Sequence, residues 1–139
     1  MINYVLGFAF NKDKNRVALI RKNRPEWQAG LLNGIGGKIE ETDKSYVKAM
    51  IREFKEETGY STDINDWQNY FILGNPDWQV NVFRMFNCDL DKLRSKTDEK
   101  IEIVYIDILH SKPRISNLDW LIPLALDNKN SSFGELNYK

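Results

Sequence analysis

A chain of 139 residues, 42% of them hydrophobic and 29% charged, has room for one folded domain and is too apolar for intrinsic disorder. Twenty Lys+Arg balance twenty Asp+Glu, so the formal net charge is zero. That balance speaks against a protein that tracks duplex nucleic acid or lies on a membrane surface. The only cysteine, Cys88, permits no intrachain disulfide and points to a reducing compartment, the cytoplasm, for a monomer or homodimer.

In chain order, Met1 to Phe10 is apolar but lacks a cationic leader and is too short for a signal segment with its cleavage site, so it reads as a first strand, Tyr4 to Phe10. A polar turn, Asn11 to Asn15, leads to a second strand at Arg16 to Arg21. The basic residues Arg21, Lys22 and Arg24 that follow are either phosphate clamps or solvated turn residues. Leu32 to Ile39 alternates like a strand but is interrupted by Gly34, Gly36 and Gly37, and glycine in a strand marks a bulge or a close approach. Lys44 to Thr58 reads as a helix ended by Gly59. Strands are expected at Phe71 to Leu73, Gln79 to Asn87 and Ile101 to Ile108. A hairpin turn is expected around Asn75-Pro76-Asp77-Trp78, and a second helix at Leu118 to Asp127. Many strands and two helices imply an α+β fold, a mixed sheet covered by helices.

On the first helix Val47, Met50, Ile51 and Phe54 form the i, i+3, i+4, i+7 stripe of a core-facing element. Glu53, Glu56 and Glu57 form a second stripe, and Lys44, Lys48, Arg52 and Lys55 lie on the opposite flank. A solvated helix face ordinarily gains about 0.2–0.5 kcal/mol from each complementary i,i+4 pair. Here only Arg52/Glu56 is complementary, whereas Glu53/Glu57, Lys44/Lys48 and Lys48/Arg52 are like-charged. Two carboxylates about 6 Å apart repel by roughly 3 kcal/mol at an effective dielectric near 20. An acidic stripe of this kind calls for a hard divalent cation, and glycines and Lys38 just upstream suit a phosphate-cleaving site.

Gly37 followed by Arg52-Glu53-Phe54-Lys55-Glu56-Glu57-Thr58-Gly59-Tyr60 resembles the Nudix box, G-x5-E-x7-R-E-U-x-E-E-x-G-U. The second half matches at every defined position. In the first half Asp43 stands in place of the loop glutamate, with one extra residue before Arg52. Asp43 is thus either the loop acid or, the reading favoured here, the N-cap of the helix. The approach segment Asn33-Gly34-Ile35-Gly36-Gly37-Lys38 is similar to that of MutT-type and oxidised-purine triphosphatases.

The resemblance implies an α/β/α sandwich and a hydrolase acting on a small nucleotide with Mg²⁺, for which Mn²⁺ can substitute. Glu53, Glu56 and Glu57 with the Gly37 carbonyl would hold the metal, and Arg52 would orient a box glutamate. Glu53, Glu56 or a later acid, Glu99 before Glu102, would act as base, unless Glu99 and Glu102 are merely exposed residues entering a strand. Lys38, Arg21 and Lys22 would meet phosphates, and Asn33, Asn117 and Trp120 the base, unless Asn117 caps the last helix and Trp120 is core. The expected reaction is cleavage of a nucleoside triphosphate such as 8-oxo-dGTP to monophosphate and pyrophosphate. The alternatives are an ADP-ribose-type pyrophosphatase, towards which Pro76 leans, and a non-catalytic nucleotide-binding module. Trp78 is either hairpin packing or a pocket lip, His110 an exposed loop residue, and Cys88 a small core residue.

Overall fold

The computed structural model describes residues 1–127 and 134–138. Strand β1 (Ile2–Phe10) is the axis of a mixed sheet, pairing in parallel with β6 (Trp78–Met85) from Ile2 to Ala9. Its other edge is shared. Ala9 and Phe10 pair antiparallel with β2 (Arg16–Arg21), whereas Tyr4 to Gly7 pair antiparallel with β4 (Ile35–Lys38). The sheet therefore splits where β2 leaves β1. The expected strand at Leu32 to Ile39 fills the split as two strands: β3 (Leu32–Asn33) bonds to β2 and β4 bonds to β1. The break falls at Gly34, where a Cβ would come within 2.9–3.0 Å of the Leu6 side chain.

Beyond β6 lie β5 (Gln68–Gly74), antiparallel to it, and β8 (Gly134–Asn137), parallel to β5; β7 (Lys100–Tyr105) pairs with the outer edge of β2. β8 was not expected, because Gly-Glu-Leu-Asn carries no apolar alternation. The strand anticipated to Ile108 ends at Tyr105, since Ile106–Ser111 turns into a 3-10 helix.

Strand alternation divides the core between the two faces. Ala18 and Ile20 of β2 pack with Met50 and Phe54 of helix α1 (Tyr46–Thr58), while Val17 and Leu19 pack with Leu118, Leu121 and Ile122 of helix α2 (Leu118–Leu126). Val47 and Ile51 flank the first cluster, so the predicted stripe faces the sheet. α1 starts two residues later than the sequence suggested. Ser45, not Asp43, is its N-cap, accepting from the Lys48 N–H at 3.2 Å. Gly59, at φ +76°, ends it in the left-handed conformation. Among the described residues no helix is long and apolar enough to cross a membrane.

Candidate active site

Packing α1 through Met50 and Phe54 turns Glu53 toward β4, where it is only 8% exposed. Its carboxylate lies over Gly37, and a Cβ there would fall 2.6–2.7 Å from both carboxylate oxygens. Only glycine admits this approach of carboxylate to backbone. Arg52 ties the surroundings together. Its Nε and Nη2 donate to the two Asp43 oxygens at 2.9 and 2.8 Å, Nη1 to Glu53 Oε1 at 3.1 Å and to Glu56 at 3.2 Å, and Nη2 to the Lys38 carbonyl at 3.2 Å. Asp43 is therefore the loop acid that anchors Arg52, and the cap reading is corrected. The guanidinium bond holds its carboxyl below the usual range.

Glu57 completes the stripe, accepting from Thr97 Oγ1 at 3.0 Å, while Glu56 stands exposed. Burial is the main cause raising the Glu53 and Glu57 carboxyls, offset in part by Arg52 and by Thr97 respectively. Such carboxylates gain from a cation. The donor set is all oxygen, which suits Mg²⁺ or Mn²⁺. Among the described residues no three acidic side chains converge on one point. A cation held by Glu53, Glu56, Glu57 and the Gly37 carbonyl would therefore need water and substrate phosphate to complete its shell. A cation bound there would neutralise phosphate oxygens and lower the pKa of attacking water.

From Gly36 and Gly37 a cavity of about 520 Å³ runs along the split in the sheet, to Asn33 on β3 and to Asn117 and Leu121 at the start of α2. Both asparagines singled out in the sequence line it. Asn117 also stands at the N-cap position of α2, where it makes no side-chain cap bond, so its amide is not taken up by the helix. Trp78 lines the cavity and also packs on Tyr138, ring centroids 5.9 Å apart, so its two readings combine. Lys22 also lines the cavity, with its Nζ donating to Glu99 at 2.9 Å. Trp27, 70% exposed, and Gln28 were missed, because a residue in a turn gives no sign of which way it faces.

The expected roles of five residues change. Arg21 is bound bidentately by Glu102 and by the Gly30 carbonyl, so neither Arg21 nor Glu102 is free for phosphate or proton. Lys38 leaves its side chain in solvent and does not line the cavity; only its carbonyl enters the network, through Arg52. Trp120 packs edge-on against Phe71 at 5.2 Å, on the core side and off the cavity. Glu99 is 4% exposed and accepts from Lys22 Nζ at 2.9 Å, the Asn23 N–H at 2.6 Å and the Arg24 N–H at 3.3 Å. Burial raises its carboxyl, but these donors outweigh it and the net shift is downward. A carboxylate committed in this way positions the cavity wall and is a poor base, so both the base and the exposed readings of Glu99 are corrected. His110 is exposed; Cys88 is buried in the core, its thiol pushed up to about 12 by burial.

The chain matches the family model of the NUDIX domain over residues 3–119. No curated protein matches it in sequence. Several solved structures share its fold. One is a MutT from a comparison of the Aliivibrio salmonicida and Vibrio cholerae proteins, at 20% identity over 91% of this chain and 98% of that one, TM-score 0.75. The NUDIX domain of Shewanella oneidensis NrtR, complexed with ADP ribose, is 16% identical over 94% and 89%, TM-score 0.79. A MutT from Bacillus halodurans is 17% identical over 100% and 91%, TM-score 0.71. The match across most of the chain, with the box residues gathered about Gly37 and Arg52, shows that the chain belongs to the Nudix family of hydrolases.

Proposed function

We propose that the protein is a Mg²⁺-dependent pyrophosphohydrolase of a nucleoside triphosphate, with a modified purine such as 8-oxo-dGTP as candidate substrate. Water attacks phosphorus, the phosphoanhydride bond breaks, and monophosphate and pyrophosphate leave. The observation that carries this reading is one cavity whose wall includes Gly37, the residue against which the Glu53 carboxylate rests, together with Asn33 and Asn117. An amide offers both donor and acceptor, as a purine edge does. The apolar residues Leu6, Leu73 and Leu121 give the base a dry wall. Glu53, Glu56, Glu57 and the Gly37 carbonyl would hold the cation, and Arg52 orients Glu53 and Glu56. The attacking water loses its proton to a box carboxylate. The lone buried Cys88 suits a reducing cytoplasm.

A second reading, an ADP-ribose-type pyrophosphatase, is favoured by the ADP-ribose-bound relative and uses the same cation site. A non-catalytic module is disfavoured by the retention of all three box glutamates. Hydrolysis of 8-oxo-dGTP, dGTP, dATP and ADP-ribose with Mg²⁺ separates the three. The expected result is preference for a triphosphate, with turnover lost in Glu56→Gln and Glu57→Gln and selectivity reduced in Asn33→Ala and Asn117→Ala. Preference for ADP-ribose overturns the substrate class, and wild-type turnover in both glutamate variants overturns the site.

A further inference from the structure

One chain of hydrogen bonds in the cavity wall has only one possible polarity. The Gly34 N–H donates to Asn33 Oδ1 at 2.8 Å. A backbone N–H can only donate, so the Asn33 amide must turn its oxygen to Gly34 and its nitrogen away. That nitrogen donates to Gln28 Oε1 at 2.9 Å. An amide N–H₂ can likewise only donate, so Gln28 must turn its oxygen to Asn33. Gly34 thus orients both side-chain amides in series, and Gln28 is the far stop that keeps Asn33 from rotating. Asn33 is left with one free N–H and one oxygen lone pair, and Gln28 with its whole N–H₂ group. Both residues line the cavity.

We propose that Gln28 is a specificity-determining residue, which fixes the hydrogen-bonding face that Asn33 shows to the base. The inference rests on the reading of this cavity as the base pocket. Without an acceptor at position 28, Asn33 keeps its bond to Gly34 but loses its second restraint. Its free N–H then samples positions in which it pairs equally poorly with either purine. A buried polar group that goes unpaired costs enough to change selectivity about fivefold or more. Gln28 lies in the 3-10 turn Glu26–Gln28, outside the metal end of the cavity, so its loss acts on base preference and leaves the Gly37–Glu53 contact intact.

The test measures the Kd of dGTP and dATP with Ca²⁺ in place of the catalytic ion, so that binding is read without turnover. Five proteins are compared: wild type, Gln28→Ala, Gln28→Glu, Asn33→Ala and Asn33→Ala/Gln28→Ala. The wild-type ratio of the two Kd values is expected to fall about fivefold or more in Gln28→Ala. It should recover in Gln28→Glu, which keeps the acceptor while weakening both triphosphates alike. Gln28→Ala should change nothing further in the Asn33→Ala background. In ¹H–¹⁵N spectra of the free protein the Asn33 side-chain protons should stay slow to exchange in wild type and Gln28→Glu, and exchange faster in Gln28→Ala. A wild-type ratio near one, an unchanged ratio in Gln28→Ala, or an equal loss in the Asn33→Ala background overturns the inference. Absence of Mg²⁺-dependent hydrolysis with the binding pattern intact would overturn the proposed function alone.

Discussion

The Glu53 carboxylate rests against Gly37 so closely that any side chain on residue 37 would occupy its place. Gly37, paired with Val5 across the sheet, lines the cavity, so this contact sets Glu53 beside the cavity wall.

Gly37→Ala should therefore displace Glu53 by about an ångström and lower kcat/KM by about 10²-fold or more, the usual effect of misplacing a catalytic group. The apolar face of α1 does not touch this contact, so the circular dichroism spectrum should be unchanged. Near-wild-type kcat/KM in Gly37→Ala would show that the contact has no part in catalysis.

Asp43 and Ser45 make a matched pair of variants, because they stand two residues apart with different partners. Asp43→Asn removes the charge that holds Arg52 on both Nε and Nη2, and a charge-assisted bond of this kind contributes about 1.5–3 kcal/mol. The variant should lose stability and, because Arg52 also holds Glu53 and Glu56, turnover. Ser45→Ala should cost about 1 kcal/mol through the lost cap and leave kcat as it was. Denaturant unfolding together with steady-state kinetics distinguishes the two. A kcat loss in Ser45→Ala equal to that in Asp43→Asn would refute the assignment.

Glu99 and Glu57 should respond to pH in opposite senses. The folded pKa of Glu99 lies below its ordinary value of 4.5, so its stabilisation is fully present above that value and is lost as pH falls through the lowered one. Glu99→Gln should be about 1–3 kcal/mol less stable than wild type at pH 7, and the gap should close under more acid conditions. Its kinetic effect should fall mainly on KM, through the wall at Lys22; a large kcat loss with Tm unchanged would make Glu99 the base. Glu57 is raised by burial, so without metal its charge disfavours the fold above the raised pKa, and the penalty disappears as pH falls. Metal-free Glu57→Gln, which keeps an acceptor for Thr97, should melt at or above the wild-type temperature near neutral pH. Mg²⁺ should raise the wild-type Tm more than that of the variant.

The chemistry-bearing part of this protein was legible in the sequence because it is local. The apolar stripe of α1, the acidic stripe beside it and the stop at Gly59 follow from a period of 3.6 residues within thirteen positions. The close approach at Gly37 was signalled by glycines inside a strand pattern. What tertiary structure decided were the partners supplied by distant segments. Arg52 takes Asp43 in place of a cap, Glu99 closes on residues 22–24 across more than seventy positions, and Glu102 takes Arg21 out of the cavity. The division of Leu32 to Ile39 into two strands, the polar edge strand β8 and the turn of Trp120 toward Phe71 likewise depend on where β1 and β2 part and which face of α2 meets the sheet. A charged or polar side chain in a loop carries no periodic mark of its direction. Its role is set by whichever donor or acceptor the folded chain brings within about 3 Å.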